Sequence, residues 1–363
     1  MSDHAPISYK AALTLPPFAC PTWIRPLPQN TPLDGALALA GGWRHFSHVD
    51  VVQRSQDNSY SARRMHVDAM LSEADDRNKA VFAIERLTSP RADFAGLSMN
   101  EPQIMGILNV TPDSFSDGGQ HNAPAKAIAA AVAMQTAGAS IIDIGGESTR
   151  PGAEPITRNQ ELARILPPIT GLAKAGGLVS VDTRHAEIMT RATKAGAAII
   201  NDVGGLRGDG ALAAASNSGV PVIIMHMQGT PESMQNDPHY GFAPVEIYEF
   251  LEDRIMAAID AGIPRDKIVV DPGFGFGKTV THNMELMNWF GLLHGLGVPL
   301  LLGASRKSSI AKISRNEVAD DRLAGSIALA LQGINEGAQM IRVHDVPDTA
   351  QAIAVQMALY EAA

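Results

Sequence analysis

Ile104-Met-Gly-Ile-Leu-Asn-Val-Thr-Pro-Asp-Ser-Phe-Ser-Asp-Gly-Gly119 changes character in its middle. A short apolar run stops at Asn109, and a polar segment punctuated by Pro112, Gly118 and Gly119 follows. That grammar predicts a buried strand over Ile104–Leu108 whose next residue is a functional amide opening into a long loop. The loop holds Thr111, Asp113, Ser114, Phe115, Ser116 and Asp117, more chemistry than a connector needs. Alone, the segment reads more readily as a solvated surface loop. What decides is that the same pattern recurs along the chain.

Further apolar runs fall at Ser140–Ile144, Val179–Val181, Ala198–Ile200, Val222–Met225, Ile268–Val270, Leu300–Leu302 and Met340–Val343. Between them lie segments such as Lys126–Thr136 and Ala186–Lys194, whose apolar residues recur at three and four positions, the spacing of an amphipathic helix. Gly138-Ala139, Gly196-Ala197 and Gly337-Ala338 each sit between a helical run and a strand, where glycine suits a left-handed helix cap. Eight such units in about 260 residues match the size and count of a (β/α)8 TIM barrel. A doubly wound open sheet is the alternative. Eight units are many for that fold, and no GxGxxG fingerprint follows the first strand.

The predicted strands all end in polar residues. In order these are Asn109, Gly145-Gly146-Glu147, Asp182, Asn201-Asp202, His226, Asp271, Ser305-Arg306-Lys307, and Arg342 with His344. In a barrel they would gather at the C-terminal mouth, where such folds build their sites. Two sets separate. Asp182, Asn201, Asp271 and Lys307 would converge deep in the mouth and could satisfy a planar heterocycle bearing amidine-like donors. For any one of them a buried ion pair, such as Asp271 with Lys307, is the simpler alternative. Arg150, Arg342 and His344, with Asn109 nearby, form a shallower cationic set. On an acidic protein that set implies a localised anion such as a phosphate or diphosphate. Asn109 is an oxygen ligand of the kind Mg2+ tolerates.

The 363 residues allow one large domain with an appendage, or two ordinary domains. A net charge of −9 argues against non-specific nucleic-acid binding. The single cysteine, Cys20, excludes an internal disulfide framework and suits a reducing compartment. No apolar run approaches a membrane span, so a cytoplasmic protein is expected. Residues 1–92 form an N-terminal extension that contrasts with the catalytic barrel expected over 93–363. Within it Val52–Arg64 reads as exposed loop or linker, and Leu37–Val52 and Lys79–Leu87 as short strands or a helix. The extension suggests no function and is expected to pack on the barrel or on a neighbouring subunit. Gly273–Thr279 imitates a P-loop, but Pro272 stands where the first glycine must be. The histidines show no paired spacing of a zinc site.

The motifs ILNVTPDSFSDGG (107–119), GASIIDIGGESTRPGA (138–153), SVDT (180–183), IINDVGGL (199–206), MHMQGTP (225–231), VVDPGFGFGK (269–278), SRKS (305–308) and IRVHD (341–345) occur in one order over residues 95–363. In this the chain closely resembles the dihydropteroate synthase family. The resemblance implies transfer of a pterinylmethyl group from 6-hydroxymethyl-7,8-dihydropterin diphosphate to 4-aminobenzoate, with release of pyrophosphate. It places Asp182, Asn201, Asp271 and Lys307 around the pterin, with Arg342 stacked over the ring. It assigns Asn109 to Mg2+, with Asp117 as a possible further contact, and Arg150, Arg342 and His344 to the diphosphate. Phe115, Thr149, Arg150, Pro151 and Ser308 would frame the aminobenzoate, in the pocket that sulfonamides occupy in the family. A homodimer is the family expectation. A pterin-binding methyltransferase acting on a corrinoid shares the barrel, but the intact DSFSDGG, STRPG and SRKS segments disfavour it. A non-catalytic paralogue is disfavoured because Asn109, Arg150, Lys307 and His344 are all retained. The family usually has only a short hairpin, here about Asp93–Pro102, before its first barrel strand, so the long extension is a departure.

Overall fold

The computed structural model describes residues 7–9, 22–30, 34–110, 123–147, 156–231 and 233–362. Val52–Arg64, expected to be exposed loop, is instead the larger part of an antiparallel hairpin. Strands β1 (Ser8–Tyr9), β2 (Thr22–Pro26), β3 (Leu37–Ala38), β4 (His45–Phe46), β5 (His48–Arg54) and β6 (Tyr60–His66) precede helices α1 (Val67–Glu73) and α2 (Arg77–Thr88). β5 and β6 pair from His48↔His66 to Arg54↔Tyr60 and lie in a sheet of order β1-β6-β5-β2. Polar residues hid these strands because their charges are answered by partners. Arg64 donates to both oxygens of the fully buried Asp50 at 2.9 and 3.2 Å, and Arg25 lies 3.5 Å from the same carboxylate. The sheet is buried on both faces. Val49, Val51 and Met65 pack with Met70, Ile84 and Leu87 of the two helices, while Trp23, Val52 and Ala62 join the main core.

The barrel strands are β7 (Gln103–Asn109), β8 (Ile141–Gly145), β9 (Val179–Asp182), β10 (Ile199–Asp202), β11 (Val222–Met225), β12 (Ile268–Asp271), β13 (Leu301–Leu302) and β14 (Met340–Val343). They are parallel, in the order β12-β11-β10-β9-β8-β7-β14-β13, and a parallel bridge from Leu300 to Val270 closes the ring. Around them run α3 (Ala123–Thr136), α4 (Arg158–Lys174), α5 (Ala186–Lys194), α6 (Ala211–Ser218), α7 (Ala243–Asp260), α8 (Val280–Asn288), α9 (Ser308–Ile313), α10 (Leu323–Asn335) and α11 (Val346–Glu361). The expected (β/α)8 barrel with an N-terminal extension is therefore present. Gly196 illustrates the turn into a strand: its φ is 113°, and a Cβ there would come within 2.5 Å of the Ala173 methyl.

Alternation along each strand places the site. Met105, Ile141, Ile199, Ile223, Val269, Leu301 and Met340 point inward and make one dry layer, closed below by Phe94 and Met99 of the short hairpin before β7. Two residues further along, the inward positions become Asp143, Asn201, Asp271, Gly303 and Arg342, with Ile107 and Met225 remaining apolar. The interior thus changes from wholly apolar to largely polar in one step of the pleat.

The extension meets the barrel at the ends of helices. A crossover helix runs back against the strands, so its last carbonyls lie away from the mouth and need partners. Trp43 donates its indole N–H to Ile334 O at 3.1 Å, and the buried Arg44 donates to Asn335 O at 3.0 Å, which satisfies the end of α10. Arg86 reaches Leu296 O at 3.1 Å, and Arg91 reaches His294 O at 3.0 Å. His294 is fully buried, with Nε2 2.8 Å from Glu336 O, and burial together with the Arg91 charge drives its pKa down to about 3. Above pH 6.5 the ring is neutral in folded and unfolded chains alike. Between 6.5 and 3 only the unfolded chain takes up the proton, so this contribution to stability is lost as pH falls. The loss is ~1.4 kcal/mol per pH unit. We expect the stability of His294→Gln to gain ~2 kcal/mol relative to the unaltered chain between pH 7 and 5, as read by urea unfolding. A constant difference across that range would show that His294 titrates normally.

Candidate active site

Arg342, on β14, is the centre of the charged layer. Its Nε donates to Asp143 Oδ2 at 2.6 Å and its Nη2 to Asp182 Oδ2 at 2.7 Å. Asn201 donates its amide to the same Asp143 oxygen at 2.9 Å, so β8, β9, β10 and β14 are linked through Arg342 and Asp143. Burial works against the Arg342 charge, but the carboxylates of Asp143 and Asp182 outweigh it and raise its pKa above the ordinary value. Burial pushes the Asp182 carboxyl up, and Arg342 pulls it back. Asp143 Oδ1 and Ser180 Oγ, from cross-strand neighbours, are buried polar atoms with no hydrogen-bond partner among the described residues. The floor of the basin therefore keeps unused polar capacity.

Asp143 was absent from the sequence-derived set. Its signal was a carboxylate inside an apolar strand, on the parity of Gly145, and attention to strand ends passed over it. Asp271 lies in the same layer. Its Oδ1 accepts the Gly273 N–H at 2.7 Å, while Oδ2 faces Gly303, where a Cβ would stand 3.3 Å away. Burial raises the Asp271 carboxyl, opposed by that N–H and by the charge of Lys307. The Lys307 ammonium sits 3.8 Å above the Phe276 ring, and its stem packs over Gly275. Phe276 also belongs to an apolar wall with Val203, Met225, Met227 and Met234. Polar floor, aromatic-cation side and apolar wall together suit a flat, polar-edged ring.

The shallower set is divided differently from the sequence reading. Arg342 is bound to two acids of the floor, and His344, expected to be cationic, is neutral. Burial, Arg342 and Arg306 drive its pKa down to about 3. Ser305 Oγ accepts the His344 backbone N–H at 3.2 Å and lies 3.0 Å from its Nδ1. A Ser305 hydroxyl that gives its proton to Nδ1 leaves the ring N–H on Nε2. A neutral imidazole in that tautomer is a donor for an anion. Asn109 Oδ1 and Asp182 Oδ2 both lie 3.7 Å from where Gly145 would carry a Cβ. The Asp182 oxygen is already bonded to Arg342, so Asn109, with an amide oxygen of the kind Mg2+ tolerates, is the residue here that could hold a hard divalent ion.

Phe115, Asp117, Thr149, Arg150 and Pro151 lie outside the described residues. Ser308 opens α9 beside Lys307 and is exposed. Two polar strand ends serve the scaffold and not the basin. His226 Nδ1 lies 2.9 Å from the buried Lys278 ammonium, which also donates to Gly273 O and Phe276 O at 2.9 and 3.0 Å. That brace holds the glycine loop, and explains a lysine that only imitates a P-loop. Asp202 accepts from Gly204 N and Leu206 N at 2.6 and 2.9 Å. At the rim, Glu147 and Glu161 converge on His185 Nε2 at 3.5 and 4.0 Å, and Thr183 donates to Glu161 at 2.8 Å. Nothing in the spacing of these residues announced that network. Among the described residues, no helix is long and apolar enough to cross a membrane.

A closed barrel whose mouth gathers Asp143, Asp182, Asn201, Asp271, Lys307 and Arg342 defines a class, the barrel enzymes that hold a polar heterocycle at the strand ends. Comparison with known proteins makes the class specific. The family model for pterin binding enzymes matches residues 105–344, from the first barrel strand to the residue after the last. The dihydropteroate synthase of Escherichia coli K12 is 45% identical over 265 residues, covering 73% of this chain and 94% of that protein. The Xanthomonas albilineans dihydropteroate synthase with 4-aminobenzoic acid superposes with a TM-score of 0.70 at 45% identity, covering 75% of this chain and 98% of that one. The same enzyme in complex with 7,8-dihydropteroate gives 0.67 at 43% identity, covering 74% and 98%. The chain belongs to the pterin-binding enzymes and, among them, to the dihydropteroate synthase family of transferases.

Proposed function

We propose that this chain joins 4-aminobenzoate to (7,8-dihydropterin-6-yl)methyl diphosphate, giving 7,8-dihydropteroate and pyrophosphate, with Mg2+ assisting departure of the diphosphate. The observation that carries the reading is the Arg342 guanidinium clamped between Asp143 and Asp182, with Asn201 and Asp271 in the same layer. In this reading Asp182, Asn201, Asp271 and Lys307 bind the pterin edge, and Arg342 presents its face to the ring. The carboxylates accept the amidine-like N–H groups in charge-assisted bonds. His344, Arg150 and Arg342 receive the diphosphate. Phe115, Thr149, Arg150, Pro151 and Ser308 frame the aminobenzoate. The Xanthomonas albilineans relative binds 4-aminobenzoic acid in one complex and 7,8-dihydropteroate in another, which supports the aminobenzoate and the product of this reading.

The bond that breaks joins the pterin methylene to the diphosphate oxygen, and its electron pair leaves with the diphosphate. The electron-rich dihydropterin delocalises the resulting positive charge, so no protein nucleophile is required. The arylamine lone pair then forms the new C–N bond, and its surplus proton is released. Asn109, with Asp117 as a possible second contact, would hold Mg2+, which when bound would supply positive charge against the departing diphosphate. The chain's own residues position the two substrates and exclude water, the terms on which such a reaction depends. We expect pyrophosphate release that requires both substrates and is abolished by EDTA, then restored by added Mg2+. Pyrophosphate release with the pterin diphosphate alone, at an unchanged rate, would refute the transfer. Full activity in EDTA would refute the metal.

A further inference from the structure

Arg306 adopts a backbone conformation its side chain disfavours, with φ of 57° in the left-handed region. Its neighbours are the two groups of this loop that face the basin: Ser305, bonded to His344, and Lys307, over Phe276. The sharp turn at Arg306 is what lets both reach inward. Several contacts hold it. Its N–H donates to Ser326 Oγ at 2.8 Å, and its carbonyl accepts from Arg322 at 2.9 Å. Its guanidinium forks onto Asp345, Nε to Oδ2 at 3.0 Å and Nη2 to Oδ1 at 2.6 Å, and Nη1 meets Asp320. Asp345 stands directly after His344 and at the N-cap of α11, yet its side chain makes no capping bond. An aspartate at that position ordinarily caps its own helix. Here it is committed to the neighbouring loop.

We propose that Arg306 and Asp345 form a positioning latch between the loops after β13 and β14, so that Lys307 and His344 are presented to pterin and diphosphate together. The inference rests on the synthase reading given above. Arg306 is no substrate contact, since its guanidinium is consumed by Asp345 and Asp320. The two parallel bonds need a planar fork that lysine cannot offer.

The test is steady-state kinetics and calorimetry on the full chain carrying Arg306→Ala, Arg306→Lys, Arg306→Gly, Asp345→Asn, and the Arg306→Ala/Asp345→Asn pair. Each single variant is expected to lose roughly 10- to 100-fold in kcat/KM for the pterin diphosphate, the scale of a misplaced catalytic group. The double variant should lose no more than the worse single one, because both changes open the same link. Arg306→Gly separates the latch from the turn: glycine accepts the left-handed conformation without cost, so recovery of full activity in it would overturn the latch. Losses that multiply in the double variant would also overturn it. If the unaltered chain releases no pyrophosphate, the synthase reading falls by itself. The latch is then judged by affinity for 6-hydroxymethylpterin and pyrophosphate together, which should weaken in Arg306→Ala, and equal affinity would overturn it.

Discussion

Replacing Arg342 by methionine is expected to remove about 3–5 kcal/mol of stability and at least a thousand-fold in kcat/KM. The two losses have different causes. Stability falls because Asp143 is fully buried and Asp182 mostly so, and without the guanidinium the two carboxylates share a basin with no positive charge between them. Activity falls because the same guanidinium fixes the floor of the pterin site and presents its face to the ring. A second substitution separates them. In Asp143→Asn/Arg342→Met one of the two charges is gone, so urea unfolding should recover a large share of the lost stability, while pyrophosphate release should not recover. If Arg342→Met unfolds at the same urea concentration as the unaltered chain, the pairing contributes nothing to the fold. If the double variant regains turnover, Arg342 serves only to neutralise the acids.

Much of this site was legible in the sequence, because a barrel converts position along a strand into depth in the mouth. Asp182, Asn201 and Asp271 each follow an apolar run, and each falls on the inward parity, so naming the strand end was enough to place them. Asp143 escaped because it lies two residues before its strand end, where an apolar neighbour was expected. The neutrality of His344 escaped because charge depends on enclosure: the ring is surrounded by Arg342, Arg306 and Ser305, none adjacent to it in sequence. His226 and Asp202 show the converse error. They occupy strand ends but turn to Lys278 and to backbone N–H groups, and the code for that lies in loops that the strand pattern does not specify. In the extension, polar composition suggested a linker. Cross-strand partners such as Asp50 and Arg64 are fourteen residues apart, beyond the reach of a local reading.

Removing the chain before Pro90 is expected to cripple stability while sparing chemistry. Relatives such as the Escherichia coli enzyme match three-quarters of this chain or slightly less, yet nearly all of their own length, so the family barrel does not in general require such an extension. In this chain the extension is bonded into the barrel. The Asn335 carbonyl takes its donor from Arg44, a bond of roughly 1–3 kcal/mol when broken in a buried setting, while Trp43 and Arg86 add second donors to the Ile334 and Leu296 carbonyls, which also accept from Gly337 N–H and Arg265. An apolar and aromatic seam adds to them: Tyr60 packs 5.2 Å from Phe242, Phe242 lies 5.4 Å from Trp289, and Arg25 covers Trp289 at 4.8 Å. Exposing Phe242 and Trp289 while losing Trp23 and Val52 from the core costs a further ~1.5–3 kcal/mol for each large side chain. The total is comparable to the whole stability of a typical domain, about 5–15 kcal/mol. The trimmed chain should therefore melt at least about 10 °C lower and aggregate on warming. At low temperature its folded fraction should turn over within about three-fold of the full chain, because the bonds that join the extension to the barrel end on α7, α10 and the segment around Leu296, none of which supplies a basin residue. A trimmed chain that melts with the full one would make the extension an independent appendage. One that stays folded but loses turnover would show that the extension reaches the site after all.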